Sequence, residues 1–192
     1  MSDLEDLLKR CQNGDLSAFN RLFYAYEGKI FRLAISILRD RQDAEDAAQE
    51  AFLRVFLKLR SFRGESSFDT WLTAVVINVC RDKLRHRRLR QILSLEWIRN
   101  EPDTSQVELI EVVDKRQQTG ELWNLVGRLD DRLRIPVILV YQEGLPVKEA
   151  ARALGLPSST VYSQLKAAHK QLQQMGSAIT RLDAGQIGEK GC

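Results

Sequence analysis

The sequence predicts an all-α protein made of two small helical domains joined by an acidic linker, on three observations. Apolar residues recur at three- and four-residue spacing through most of residues 15–90. An acidic, weakly periodic stretch then runs from about Gln91 to Gln118, and a second helical block follows from roughly Thr119 to Met175. A length of 192 residues suits one ordinary domain or two small ones.

The first long helix is predicted from Phe19, Leu22, Phe23, Tyr26, Ile30, Leu33, Ala34 and Ile37, with Asp15 placed to cap its start. Ala44, Ala47, Ala48, Ala51, Phe52, Val55, Phe56 and Leu59 repeat the pattern. This helix opens with Asp43, Glu45 and Asp46, the sign that the positive helix N-terminus favours. Arg63-Gly64-Glu65-Ser66-Ser67 breaks it. A third helix follows, capped by Ser66 or Ser67, with Trp71, Leu72, Val75, Val76 and Val79 on its buried face. In the linker, Glu96, Glu101, Asp103, Glu108, Glu111 and Asp114 outweigh Arg99, Lys115 and Arg116, Pro102 interrupts, and a short helix is expected at Val107–Val113. Residues 176–192 are small and glycine-containing and predict a flexible tail.

Composition narrows the functional classes. The hydrophobic share is 44%, normal for a globular chain, and 29% of residues are charged, yet the formal net charge is only +3. The placement of charge therefore matters more than its total. No apolar stretch is long enough to span a bilayer, and the acidic start Met1-Ser2-Asp3-Leu4-Glu5 lacks a signal-peptide hydrophobic run, so membrane insertion and secretion are not expected. Cys11, Cys80 and Cys192 are odd in number and far apart, which fits a reducing cytoplasm and offers no disulfide framework. Neither CxxC nor HxxxH occurs, so no metal site is predicted; phosphate-binding loops and nucleophile elbows are also missing, and nothing calls for a cofactor or a catalytic residue.

Two constellations point to nucleic acid instead. The third helix ends in Arg81, Lys83, Arg85, Arg87, Arg88 and Arg90, opposed along the chain only by Asp82. Such a run commonly marks a solvated helix end, and some of its cations suit a helix C-terminus. Here, however, the same helix carries Trp71 and follows a polar, glycine-bearing loop, the combination that holds a single strand with unstacked bases. The second constellation is a helix-turn-helix. Pro146 and Val147 to Leu154 supply the first helix, Gly155 the turn, Leu156 the plug and Pro157 the stop, and Ser158 or Ser159 caps a second helix through Val161, Leu165, Ala168 and Leu172. A DNA-binding version would present Ser158, Ser159, Thr160, Tyr162, Ser163, Gln164 and Lys166, with His169 and Lys170 beyond them, to the major groove. A purely structural αα-hairpin has the same outline.

In this order the two constellations resemble the extracytoplasmic-function branch of the sigma-seventy family. Region two of that family has a signature similar to Ala44-Glu45-Asp46-Ala47-Ala48-Gln49-Glu50-Ala51-Phe52-Leu53, then a motif like Phe68-Asp69-Thr70-Trp71-Leu72 and an arginine-ended helix that here spans Ala74 to Arg90 with Asn78. Region four resembles Tyr141-Gln142-Glu143-Gly144-Leu145 through Leu156-Pro157-Ser158-Ser159-Thr160-Val161. The resemblance covers roughly residues 5–90 and 119–173. It implies a stress-responsive RNA polymerase sigma factor acting in the cytoplasm, with domains at 1–90 and 119–175 and a linker at 91–118.

Carried over by position, the resemblance assigns Asp43, Asp46, Gln49, Glu50 and Arg54 to docking on the clamp helices of the polymerase's largest subunit. Arg63, Gly64, Glu65, Ser66 and Ser67 would capture a base flipped from the minus-ten element, and Trp71, Asn78, Arg81, Lys83, Arg85, Arg87 and Arg88 would read and track that element. Unstacking a base costs a few kcal/mol, which a pocket and phosphate clamps must offset. Region four would read the minus-thirty-five element and meet the polymerase flap, and an anti-sigma factor is implied as a further partner. Members of the family usually place basic residues where this chain has Tyr162, Gln164 and Ala167. Each lost phosphate contact lowers the salt slope by about 0.9, and Gln164 would pair well with adenine instead. Pro136 is unexpected in a helix predicted from about Asp131 to Tyr141, and predicts a late start or a kink.

The linker offers an independent check. Its roughly 28 residues would average about 30 Å as a flexible coil and reach roughly 90–100 Å when extended. Promoter elements two helical turns apart lie roughly 70 Å from each other, so only a stretched linker spans them. The rival readings are a stand-alone helix-turn-helix regulator, which leaves the acidic stripe before a basic helix unexplained, and a protein-binding adaptor or antagonist, which leaves Arg81 to Arg90 without a role.

Overall fold

A computed structural model of the chain describes the backbone of residues 3–94 and 117–187, and the side chains of residues 3–90 and 122–176. The short helix expected at Val107–Val113 and the last residues, 188–192, lie outside the described residues. The chain divides into two compact units, Met1–Ile110 and Glu111–Cys192. Every regular element among the described residues is helical, and none of these helices is long and apolar enough to cross a membrane.

The first unit contains α1 (Asp3–Gln12), α2 (Leu16–Leu38), α3 (Arg41–Lys58), a 3-10 turn (Leu59–Ser61) and α4 (Phe68–Ser94). Local chemistry sets the boundaries. Asp15 caps α2 by accepting from the N–H groups of Ser17 and Ala18. Those bonds, with the Arg10 guanidinium, hold its carboxyl well below the usual carboxylate range. Arg39 ends α2 in the left-handed conformation at φ 57°, and Asp40 caps α3 through the N–H of Asp43. The helix therefore starts ahead of the acidic trio that announces it in the sequence. Ser67, not Ser66, caps α4: its Oγ accepts from the Thr70 N–H at 3.1 Å.

The core of this unit joins Leu33, Ala34 and Ile37 of α2, Ala44, Ala47, Ala51 and Val55 of α3, and Leu72, Val76, Ile77, Val79 and Cys80 of α4. Alanines along α3 let its backbone approach α2 and α4 closely, and each large aliphatic side chain buried there contributes about 1.5–3 kcal/mol. Trp71 and Val75, predicted for the buried face of α4, are only half-buried; Thr70 and Thr73 are buried instead. An aromatic rail on α2 completes the packing, with Phe19 edge-on to Phe56 at 4.9 Å, Phe23 against Phe52 at 4.3 Å and Tyr26 edge-on to Phe68 at 5.2 Å.

The second unit contains α5 (Gln117–Gly127), α6 (Asp131–Val137), a π-helical turn (Ile138–Gln142), α7 (Val147–Leu154) and α8 (Ser158–Ile187). Val126, Leu129, Val137 and Ala168 form a core lined by Trp123, Leu133, Leu165, Leu172 and Met175. Asp130 caps α6 through the N–H of Arg132, so Pro136 neither delays the helix nor stands at its start. The proline withdraws one donor from the helix interior, and within two residues the helix widens into the π turn, closed by the Glu143 N–H on the Ile138 carbonyl at 3.0 Å. Helix α8 also departs from expectation, continuing to Ile187 beyond Met175. A single interior glycine such as Gly176 costs about 1 kcal/mol, too little to stop a helix by itself.

The turn of the helix-turn-helix is a Schellman motif. The Gly155 N–H reaches the Arg152 carbonyl at 3.1 Å and the Leu156 N–H reaches Ala151 at 3.0 Å, with Gly155 at φ 65°. A Cβ at Gly155 would meet nothing within 4 Å, so backbone conformation alone requires glycine. Gly155→Ala is accordingly expected to lower unfolding stability by about 1–2 kcal/mol; urea titration followed by circular dichroism measures it, and an unchanged midpoint would contradict this account. Pro157 stands immediately before α8, and the Thr160 N–H bonds its carbonyl, so neither serine is the cap: Ser158 and Ser159 lie in the first turn.

Candidate nucleic-acid and partner interfaces

On α3, Asp43, Asp46, Glu50 and Arg54 recur at three- and four-residue spacing as one stripe, with Gln49 beside it; Asp46 and Gln49 are exposed and the others half-buried. Leu53, Phe56 and Leu57 continue the surface as exposed apolar residues. On α4, Asn78, Arg81, Arg85 and Arg88 form a second exposed stripe, two turns on from Trp71 in the same register, and Arg87 is exposed beside it. The Trp71 ring packs against Phe62 at 5.3 Å and Phe68 at 5.7 Å.

The basic run is answered more fully than the sequence indicates. Asp82 accepts from Arg85 at 3.0 Å and from Arg54 at 3.2 Å, and Arg54 also pairs with Glu50 at 2.5 Å. Lys83 turns toward Asp46 at 3.7 Å with its side chain 22% exposed, away from the Asn78–Arg88 stripe. Ion pairs thus tie the acidic stripe of α3 to the basic end of α4. Burial works against the Arg54 charge, but its hydrogen bonds to Asp82 and Glu50 outweigh that, and its pKa lies above the ordinary arginine value. Beneath this surface, burial pushes the Cys80 thiol up to about 12, leaving it protonated and unreactive at neutral pH.

Between the 3-10 turn and α4, Arg63, Gly64 and Glu65 are exposed and Ser66 is half-buried. Gly64 sits at φ 73°, with open space around it. The Ser67 hydroxyl is engaged with Thr70 at 2.8 Å and caps α4. Helix α1 is not among the elements predicted from the sequence; its Gln12 donates to the carbonyls of Leu59 at 3.2 Å and Phe62 at 3.0 Å. Only the capping pattern at Asp15 marked where that helix must end.

On α8, Ser159, Tyr162, Ser163, Lys166, His169 and Lys170 are exposed at helical spacing and share one face. Ser158, Thr160 and Gln164 are half-buried. The Gln164 Oε1 is buried, so the end of this side chain, expected to read adenine, points into the protein. Steric necessity decides this, because residue 164 faces inward when Val161 and Ala168 are both fully buried. Tyr162 remains as the large exposed group on the face.

A helical unit with paired acidic and basic stripes, together with a second unit holding a helix-turn-helix, defines a DNA-binding protein with a protein-docking surface. Residues 22–90 match the family model for Sigma-70 region 2, and residues 119–172 match that for Sigma-70, region 4. The chain is 30% identical over 184 residues to the RNA polymerase sigma-H factor of Pseudomonas aeruginosa, covering 92% of this chain and 95% of that one. It is 31% identical over 182 residues to the ECF RNA polymerase sigma-E factor of Escherichia coli, covering 91% and 95%. Among solved structures, the sigma factor RpoE in complex with the anti-sigma factor NepR from Bartonella quintana has a TM-score of 0.66 at 21% identity, over 83% of this chain and 96% of that chain. CnrH in complex with the cytosolic domain of CnrY has a TM-score of 0.64 at 22% identity, over 90% and 96%. The chain belongs to the sigma-70 family, in its extracytoplasmic-function branch. It is a promoter-specificity factor of RNA polymerase and not an enzyme.

Proposed function

We propose that residues 1–90 dock on the clamp helices of polymerase through Asp43, Asp46, Gln49, Glu50 and Arg54, and hold the melted minus-ten element along Trp71, Asn78, Arg81, Arg85, Arg87 and Arg88. The loop from Arg63 to Ser67 captures the flipped base. Residues 119–175 read the minus-thirty-five element through Ser159, Tyr162, Ser163, Lys166, His169 and Lys170, and meet the polymerase flap. The stretch 91–118, whose two ends belong to α4 and α5, links the two domains. The exposed Asn78–Arg81–Arg85–Arg88 stripe, in register with Trp71 and bordered by the polar loop, carries this reading. Lys83 contributes to it only if Asp46 releases it. The protein works in the cytoplasm, where polymerase and promoter are found, and an anti-sigma factor binds it, as the anti-sigma factor NepR binds the structurally similar RpoE of Bartonella quintana.

Run-off transcription with core polymerase lacking any sigma factor, this protein and a library of promoter fragments tests the reading. Discrete start sites are expected, lost with Gln49→Ala/Glu50→Ala and with Asn78→Ala/Arg81→Ala. Tight duplex binding by the protein alone, without initiation, would overturn it in favour of a stand-alone regulator.

A further inference from the structure

The loop from Arg63 to Ser66 is fixed at both ends and open in the middle. At its exit, Ser67 and Thr70 exchange hydrogen bonds at the start of α4. At its entrance, the Phe62 ring lies against Phe68 at 5.8 Å and Trp71 at 5.3 Å. The Phe62 backbone is held separately: its N–H reaches the Leu59 carbonyl at 3.1 Å, and the amide of Gln12 donates to both the Leu59 and Phe62 carbonyls. A primary amide has two donors, and the carbonyls of Leu59, which opens the 3-10 turn, and Phe62, which follows it, receive them. Gln12 is the last residue of α1, which is anchored by the buried Leu8 and by the Arg10–Asp15 ion pair at 2.8 Å. Helix α1 therefore sets the direction in which the chain enters the loop.

We propose that Gln12 is a positioning residue for minus-ten selectivity: by holding the Leu59 and Phe62 carbonyls it aims the loop that captures the flipped base. The inference rests on the reading of that loop given above. Selectivity requires loop groups held close to one geometry, and a carbonyl released at the hinge lets several geometries compete. Gln12→Met keeps the side-chain stem but removes both donors. Gln12→Glu sets a carboxylate against two carbonyl oxygens and is expected to be at least as damaging.

The test is run-off transcription over promoters randomised through the minus-ten element, comparing the full-length protein with Gln12→Met, Gln12→Glu and the loop variants Arg63→Ala and Glu65→Ala. Discrimination at the base read by the loop is expected to relax about three- to tenfold in both Gln12 variants. Preferences at other bases and affinity for core polymerase should stay close to those of the parent protein, while the thermal midpoint falls only by the few degrees that losing two partly buried hydrogen bonds costs. If the loop variants change discrimination while Gln12→Met does not, the positioning role is wrong. If the loop variants leave discrimination unchanged as well, the base-capture reading of the loop fails first. A uniform loss at every base, in step with a lower thermal midpoint, would reduce Gln12 to a structural brace and overturn the proposal.

Discussion

Glu50→Lys is expected to reduce promoter-specific initiation at least a hundredfold while the protein remains folded. In the parent, Glu50 and Asp82 share the Arg54 guanidinium, at 2.5 and 3.2 Å. The lysine would set a cation against Arg54, which still has Asp82 as partner, and the Glu50 side chain is 41% exposed. Solvent screening at such a site limits the folding penalty to roughly 1 kcal/mol. Docking responds far more strongly. The substitution shifts the proposed docking stripe by two charges, and a like-charge contact in an interface costs several kcal/mol. A hundredfold loss corresponds to about 2.7 kcal/mol. Competition with the parent for core polymerase, run-off transcription and thermal melting measure the three quantities. A loss of initiation no larger than the unfolded fraction explains would remove Glu50 from the docking surface.

Phe68→Ala should produce the largest stability effect, about 3–5 kcal/mol, the cost of truncating a buried phenylalanine. Phe68 is 5% exposed, opens α4 and touches the rings of Tyr26, Phe62 and Trp71. Removing it opens a cavity among three other aromatic rings and frees the entrance of the Arg63–Ser67 loop. At about 4–8 °C per kcal/mol for a unit of this size, the first unit should melt more than 10 °C earlier. Differential scanning calorimetry measures the shift, with the melting of the second unit as the internal control. A loss below about 1 kcal/mol would mean that the four rings are not a mechanical unit.

Much of this was legible in the linear pattern. The apolar spacing of α2, α3 and α4 depends only on 3.6-residue periodicity, and residues such as Leu33, Ile37, Ala47 and Val76 fell inside as that period requires. The Asp15 cap, Gly155 and the helix-turn-helix were equally clear, because caps and left-handed turns are set by neighbours in the chain. Helix α1 was not legible: it is short, buries little and is held by Leu59 and Phe62, which are distant in sequence. Pro136 was recognised as a disturbance, but not that a π turn would absorb it.

The sequence by itself determined the helical class, the family and where its regions two and four lie, since each rests on periodicity or on short contiguous signatures. Only the tertiary structure decided which of those side chains are available. Lys83 turns to Asp46, Arg54 bridges Glu50 and Asp82, Gln164 points inward and Gln12 reaches the hinge of a loop on another element. The physical reason is that a charge or an amide takes its partner by distance in space, and helix packing brings together groups that the chain keeps far apart.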